Sequence, residues 1–129
     1  MIEGLFNSGS MPALERVAKF TQQRHNLLVH NIANLSTPGF RPVDLSVSAF
    51  QQQLRDAIDA RRRGNSGGMP PLDIEPSLAN DGVLYHDRNN RSLEHMMKDL
   101  AENTMTHNAA MDLLKNQFRM LETAISQRV

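Results

Sequence analysis

The chain has no cysteine and no tryptophan, and only 5% of its residues are aromatic. Without cysteine there is no disulfide, no thiol nucleophile and no cysteine-ligated metal site. So few aromatics argue against a large globular core. An excess of charge is also missing: 14 Lys+Arg face 14 Asp+Glu. No global field therefore draws nucleic acid or an anionic membrane. No window approaches the ~20 apolar residues of a membrane span. Residues 1–11 have neither a basic n-region nor an apolar h-region, so a cleavable secretion signal is not expected. If the protein leaves the cytoplasm, another export route reads it. A length of 129 residues fits one domain.

What the chain does have is periodicity. Leu93, Met97, Leu100, Thr104, His107, Met111, Leu114, Phe118, Leu121 and Ile125 recur at alternating steps of four and three. No proline or glycine interrupts them, so they predict one long helix packing along a coiled-coil seam. At about 1.5 Å per residue it would run roughly 50 Å, too long to bury its apolar side within a small ball. A second seam follows the same spacing: Leu14, Ala18, Thr21, His25, Leu28, Ile32 and Leu35. Ser10 is placed to cap it, with Pro12 in the first turn. Pro38 biases Thr37 out of the α region, which ends this helix at Leu35 or Ser36. Pro38 and Gly39 suit the centre of a type II turn.

Both seams are polar in the middle. Antiparallel pairing that joins Thr21 and His25 to Thr104 and His107 sets Leu35 near Leu93, Leu28 near Leu100 and Leu14 near Leu114. A mismatched register would set polar groups against apolar ones, at a cost of about 1–3 kcal/mol each. The expected fold is mainly α: long N- and C-terminal helices form an antiparallel coiled-coil hairpin around an irregular, partly extended middle. Residues 1–42 and 91–129 make one coiled-coil domain, and 43–90 the middle segment. Phe118, Leu121 and Ile125 extend past Leu14 in this register. Ile2, Leu5 and Phe6 are the only other part of the chain left to cover them.

In the middle, Phe50, Leu54 and Ile58 predict a helix over residues 46–62, with Asp56 and Asp59 placed to pair with Arg62 and Arg63. The stretch 41–44 reads as extended. Residues 64–71 read as a linker. Residues 72–76 and 83–85 read as short extended pieces joined by a turn at Asn80-Asp81-Gly82.

No residue is assigned to catalysis, cofactor binding or metal ligation, and no cofactor is implied. His25 and His107 lie on the seams, and His30, His86 and His95 are scattered without metal-ligand spacing. The acidic residues are spread along polar helix faces. Arg61-Arg62-Arg63 lacks the interleaved aromatics of a nucleic-acid surface. Gly64-Asn65-Ser66-Gly67-Gly68 lacks the Lys-Ser/Thr of a phosphate loop. On the long helix, Ala109, Leu113, Met120 and Ala124 form a second apolar stripe, confined to the C-terminal half. A helix apolar on two sides is buried on two sides. This stripe is the expected subunit contact; the middle segment, through Phe50, Leu54 and Ile58, is the alternative cover.

Nothing in helix propensity calls for Asn31 and Asn34 three residues apart, followed by Thr37, Pro38, Gly39 and Phe40. This pattern resembles the signature of the flagellar basal-body rod and hook family, in which a helix closes on Asn-x-x-Asn before Thr, Gly and an aromatic. Gln22-Gln23-Arg24-His25, Asn90-Arg91-Ser92-Leu93-Glu94 and residues 113–125 (LLKNQFRMLETAI) extend the likeness to its proximal-rod members. The likeness covers residues 14–40 and 89–129; Arg41-Pro42-Val43 and Arg88 depart from the usual pattern. It implies a non-enzymatic structural subunit of the periplasmic rod, needed for motility. Such a subunit is exported uncleaved by the flagellar type III apparatus. It assembles helically around the export channel with copies of itself, other rod subunits and the export-gate adaptor FliE, and transmits torque. The other reading is a soluble coiled-coil adaptor or chaperone of a secretion system. That would be a stable small oligomer in dilute solution, whereas a rod subunit stays monomeric until templated.

Overall fold

Between Ala13 and Leu35 the chain has no proline or glycine, and one helix runs through most of it, ending at Ala33 rather than at the expected Leu35 or Ser36 because Asn34 caps it there. The computed structural model describes residues 9–64, 72–78 and 90–127, with backbone only at 90–92. In it, α1 spans Met11–Ala33, β1 Val43–Asp44, α2 Val47–Arg62, β2 Ser77–Leu78 and α3 Asn90–Ser126. Pro12 sits in the first turn of α1, where its missing N–H has no intrahelical partner to lose. The 37 residues of α3 contain no proline or glycine and extend for about 55 Å.

The two long helices pack antiparallel. Gln117 of α3 donates to the Ser10 hydroxyl, 2.6 Å away, at the start of α1. Thr21 Oγ1 and His107 Nδ1 lie 2.8 Å apart at mid-height. Further on, Arg24 Nη2 comes within 4.0 Å of Asp99. The polar centres of the two helices therefore meet, as the expected register requires. Asn103 joins them by donating to the carbonyl of Thr21 at 2.8 Å. Thr21 and Asn103 are each only 2% exposed. Among the described residues, no buried side-chain nitrogen or oxygen lacks a partner.

The phase of α3 differs from the expected seam. Its buried residues are Met96, Asn103 and Ala110, seven apart, flanked by half-buried Leu93, Leu100, His107, Leu114, Gln117 and Leu121. Met97, Met111, Phe118 and Ile125, expected inward, are exposed, and Thr104 is half-buried with its hydroxyl bonded to Leu100 O in its own helix. The physical reason is at the contact. Ala110 is small enough to let α1 approach, and Asn103 finds a carbonyl there, so these positions turn inward ahead of bulkier apolar neighbours. On α1, Leu28 is buried, and Leu14, Ala18, Ile32 and Leu35 are half-buried.

α1 also buries a second side. Val17, Phe20 and Leu27 pack against the middle segment, whose core residues are Leu45 and Phe50, joined by Val47, Leu54, Leu72 and Ile74. The rings of Phe20 and Phe50 stack with centroids 4.0 Å apart and planes 11° from parallel. α2 holds Phe50 in place. Ser46 is its N-cap, extended at φ −70°, and its hydroxyl accepts from Ala49 N–H at 3.2 Å. Arg61 and Arg62 in the last turn complement the negative end of the helix dipole. The anticipated pairs with Asp56 and Asp59 do not carry this end. Asp56 accepts from Gln52 at 3.0 Å, and Arg61 donates to the carbonyl of Gly9 at 3.2 Å.

β1 and β2 pair antiparallel, Val43 with Leu78 and Asp44 with Ser77. The extended stretch expected at 72–76 thus leads into a strand at 77–78. Residues 83–85, the turn at 80–82, the linker at 65–71 and the cluster Ile2, Leu5 and Phe6 lie outside the described residues.

Because Phe50 anchors the middle segment on α1, Phe50→Ala is expected to cost about 3 kcal/mol. Urea unfolding followed by circular dichroism measures it, and a loss below ~1 kcal/mol would show that the stacked pair is not the anchor.

Candidate functional site

The signature residues cluster at the exit of α1, and each has a mechanical task. Asn34 is the C-cap. Its backbone N–H bonds to His30 O at 3.1 Å, and its side-chain amide donates to the same carbonyl at 2.9 Å. The His30 carbonyl thus accepts two donors from one residue, which fixes the Asn34 side chain over the last turn of the helix. Thr37 N–H then bonds to Asn34 O at 2.9 Å, and the Thr37 hydroxyl reaches Asn34 Oδ1 at 3.4 Å. Phe40 N–H bonds to Thr37 O at 3.2 Å and closes a turn with Pro38 and Gly39 at its centre. Gly39 has φ +76°, the left-handed value that a type II turn requires and that other residues adopt only under strain. Phe40 is delivered edge-on to the His30 ring, with centroids 5.7 Å apart.

Asn31 acts on the returning chain. Its amide donates to Val43 O at 2.7 Å, and its carbonyl accepts from Val43 N–H at 3.2 Å. One side chain thus offers a donor and an acceptor to one residue, as a neighbouring strand would. At 2% exposure this bond pair is shielded from water. Arg24, two turns earlier on α1, grips Asp44 with two nitrogens: Nε to Oδ1 at 3.0 Å and Nη2 to Oδ2 at 2.9 Å. Asp44 Oδ1 also accepts from Leu45 N–H at 2.7 Å. Burial works against the charged guanidinium, but the hydrogen bond to Asp44 and the carboxylates of Asp44, Asp99 and Glu102 outweigh it and raise its pKa. The motif and the Arg24–Asp44 fork together turn the chain out of α1 and lock β1 against it.

This arrangement holds backbone and does not present reactive groups. Among the described residues, no group of three or more His, Cys, Asp or Glu is placed to hold a metal ion. A groove of about 340 Å³ lies between α1, the β1–β2 ribbon and α3. In its lining Arg24 pairs with Asp44 and lies 4.0 Å from Asp99, and His95 Nε2 lies 3.5 Å from Asp99. No described helix is long and apolar enough to cross a membrane.

The expected subunit-contact residues lie together on open surface. Ala109, Leu113, Met120 and Ala124 are all exposed, Leu113 at 52% and Met120 at 63%. Among the described residues the middle segment does not cover this stripe, since Phe50 and Leu54 pack with Phe20 of α1 instead. Met111, Phe118 and Ile125 leave more apolar surface on the same half of α3. Phe20 and Asn103 carried no expectation from the sequence, and Arg24 only its place in the likeness, yet all three hold the packing. A signal for Phe20 and Arg24 was present: Val17, Phe20, Arg24, Leu27 and Asn31 follow steps of three and four and trace a second side of α1.

No family model matches the chain. It is 28% identical to the flagellar basal body rod protein FlgB of Borrelia hermsii over 117 residues, covering 79% of this chain and 84% of that one. It is 21% identical to the FlgB of Bacillus subtilis (strain 168) over 126 residues, covering 92% and 95% of the two chains. The chain is FlgB-like. The likeness runs through most of this chain and of both relatives. This FlgB-like chain puts its signature residues to structural use, in a cap, a turn and a strand clamp.

A Cβ at Gly39 would meet nothing within 4 Å, so Gly39→Ala tests the backbone alone. It is expected to cost about 1 kcal/mol through strain at positive φ. Denaturant unfolding measures it; unchanged stability would contradict the left-handed turn.

Proposed function

We propose that this chain is a structural subunit of the bacterial flagellar basal-body rod, in its proximal part. It joins copies of itself and other rod subunits in a helical tube that surrounds the export channel and transmits torque. At its base it meets the export-gate adaptor FliE. The assembly lies in the periplasm and serves motility, and the chain performs no catalysis.

The observation that carries this reading is the likeness to two FlgB proteins along most of the chain. Two features of the fold support it. A subunit that adds to a helical lattice makes head-to-tail contacts with surface that stays open in the single chain. Leu113 and Met120, with Ala109 and Ala124 beside them, supply such a surface on α3. Burying each large side chain at a contact is worth about 1.5–3 kcal/mol. A shaft under torque also needs elements that do not slide past each other. The buried Thr21 and Asn103 with half-buried His107, and the Arg24–Asp44 fork, tie α1 to α3 and to β1 by directional bonds.

The test is Leu113→Glu combined with Met120→Glu. Both sites are exposed in the single chain, so its helicity and stability should change by no more than about 0.5 kcal/mol. At a subunit contact the two carboxylates would be buried without partners, and rod assembly and motility should be lost. Normal rods with the double variant, or an unfolded free chain, would overturn the assignment.

A further inference from the structure

The middle segment hangs from α1. Among the described residues, the backbones of β1, β2 and α2 do not approach that of α3; β1 and α2 lie against α1, and β2 lies against β1. The groove of about 340 Å³ separates the ribbon from α3. Arg24 lines this groove with a side chain only 11% exposed. It stands between two carboxylates, Asp44 from β1 and Asp99 from α3, each 21% exposed.

The two carboxylates are not equally engaged. Asp44 holds Nε and Nη2 of Arg24 at 3.0 and 2.9 Å. Asp99 Oδ2 lies 4.0 Å from the same Nη2 and 3.5 Å from His95 Nε2. Roughly 1 Å of travel would turn its approach to Arg24 into a charge-assisted hydrogen bond. A guanidinium this buried resists losing its carboxylate, because the uncompensated charge would oppose any opening. Glu102, a further acidic neighbour of Arg24, is paired with Lys98 at 3.5 Å. We propose that Arg24 is a two-position latch: it grips Asp44 while the middle segment is closed and passes to Asp99 when β1, β2 and α2 open away from α1 as one unit. The Asn31–Val43 bonds part in the same step. The α1–α3 pairing survives, because Thr21, Asn103 and His107 bond within the hairpin. Opening uncovers Val17, Phe20 and Leu27 on α1, the side that Leu45 and Phe50 otherwise cover.

Native-state hydrogen exchange of the full chain tests this, with the α1 amides as the control for overall stability. Asp99→Asn keeps the shape of the side chain and removes its charge. It takes the acceptor from the open form, so the β1 and α2 amides are expected to exchange about 3- to 5-fold more slowly than in the unsubstituted chain. A carboxylate that only supports the closed form would give the opposite sign. In an Asp44→Asn background Arg24 rests on Asp99 in both forms. Adding Asp99→Asn there is expected to leave α2 exchange within about 2-fold. Slower exchange in the first background and not in the second carries the proposal. Three results would overturn it: faster or unchanged exchange with Asp99→Asn alone, equal slowing in both backgrounds, or α2 amides that exchange only through global unfolding.

Discussion

α1 must bury two sides at once, and the rest of the structure follows from how it does so. One side meets α3 and the other meets the middle segment. The two contacts differ in chemistry. Towards α3 the centre is polar: the Thr21 hydroxyl bonds to His107, and the Thr21 carbonyl accepts from Asn103. Towards the middle it is aromatic and aliphatic, built on the Phe20–Phe50 stack. Sliding the two long helices by one heptad would preserve much of the apolar contact. It would also strand the buried Asn103 amide without its partner, at about 1–3 kcal/mol, while the Thr21 hydroxyl would keep only its bonds to Val17 O and Ala18 O of its own helix. The polar layer therefore selects the register, and the apolar residues around it supply most of the free energy.

Directional bonds carry that register on into the middle segment. Arg24 follows Thr21 by three positions on α1 and reaches Asp44 on β1. Asn31 holds Val43 next to it. The turn at Pro38–Gly39 brings the chain back within reach of both. Once Val43 and Asp44 are fixed, Leu45 and Phe50 fall onto Phe20. The signature residues and the core are thus one mechanism: the helix end sets where the strand lies, and the strand sets where the next helix packs.

Much of this was legible in the residues. The heptad spacing carried the hairpin, and the polar centres carried its alignment, because Thr21 and His107 interrupt otherwise apolar seams. Gly39 after Pro38 carried the turn. The rotation of α3 was not legible, because counting apolar residues favours Met97, Met111 and Phe118 over Asn103, Ala110 and Gln117. Close approach rewards small side chains and satisfied polar ones, and apolar periodicity does not register that. The packing of the middle segment was hidden for a related reason. Its anchor on α1 includes a charged residue, Arg24, whose role depends on Asp44 twenty positions away.

The functional consequence is a division of surfaces. α1 is spent within the subunit, on both sides, while the C-terminal half of α3 keeps apolar residues open. A lattice-forming subunit needs this combination: a rigid spine and an unsatisfied edge. Native-state hydrogen exchange, read residue by residue in the free chain, tests the central claim that α1 is the doubly buried spine. The amides of residues 17–31 should exchange most slowly of all and only through global unfolding, with α2 opening at lower free energy. If the amides of α1 exchange as fast as those of α2, the spine lies elsewhere and this account of the fold is wrong.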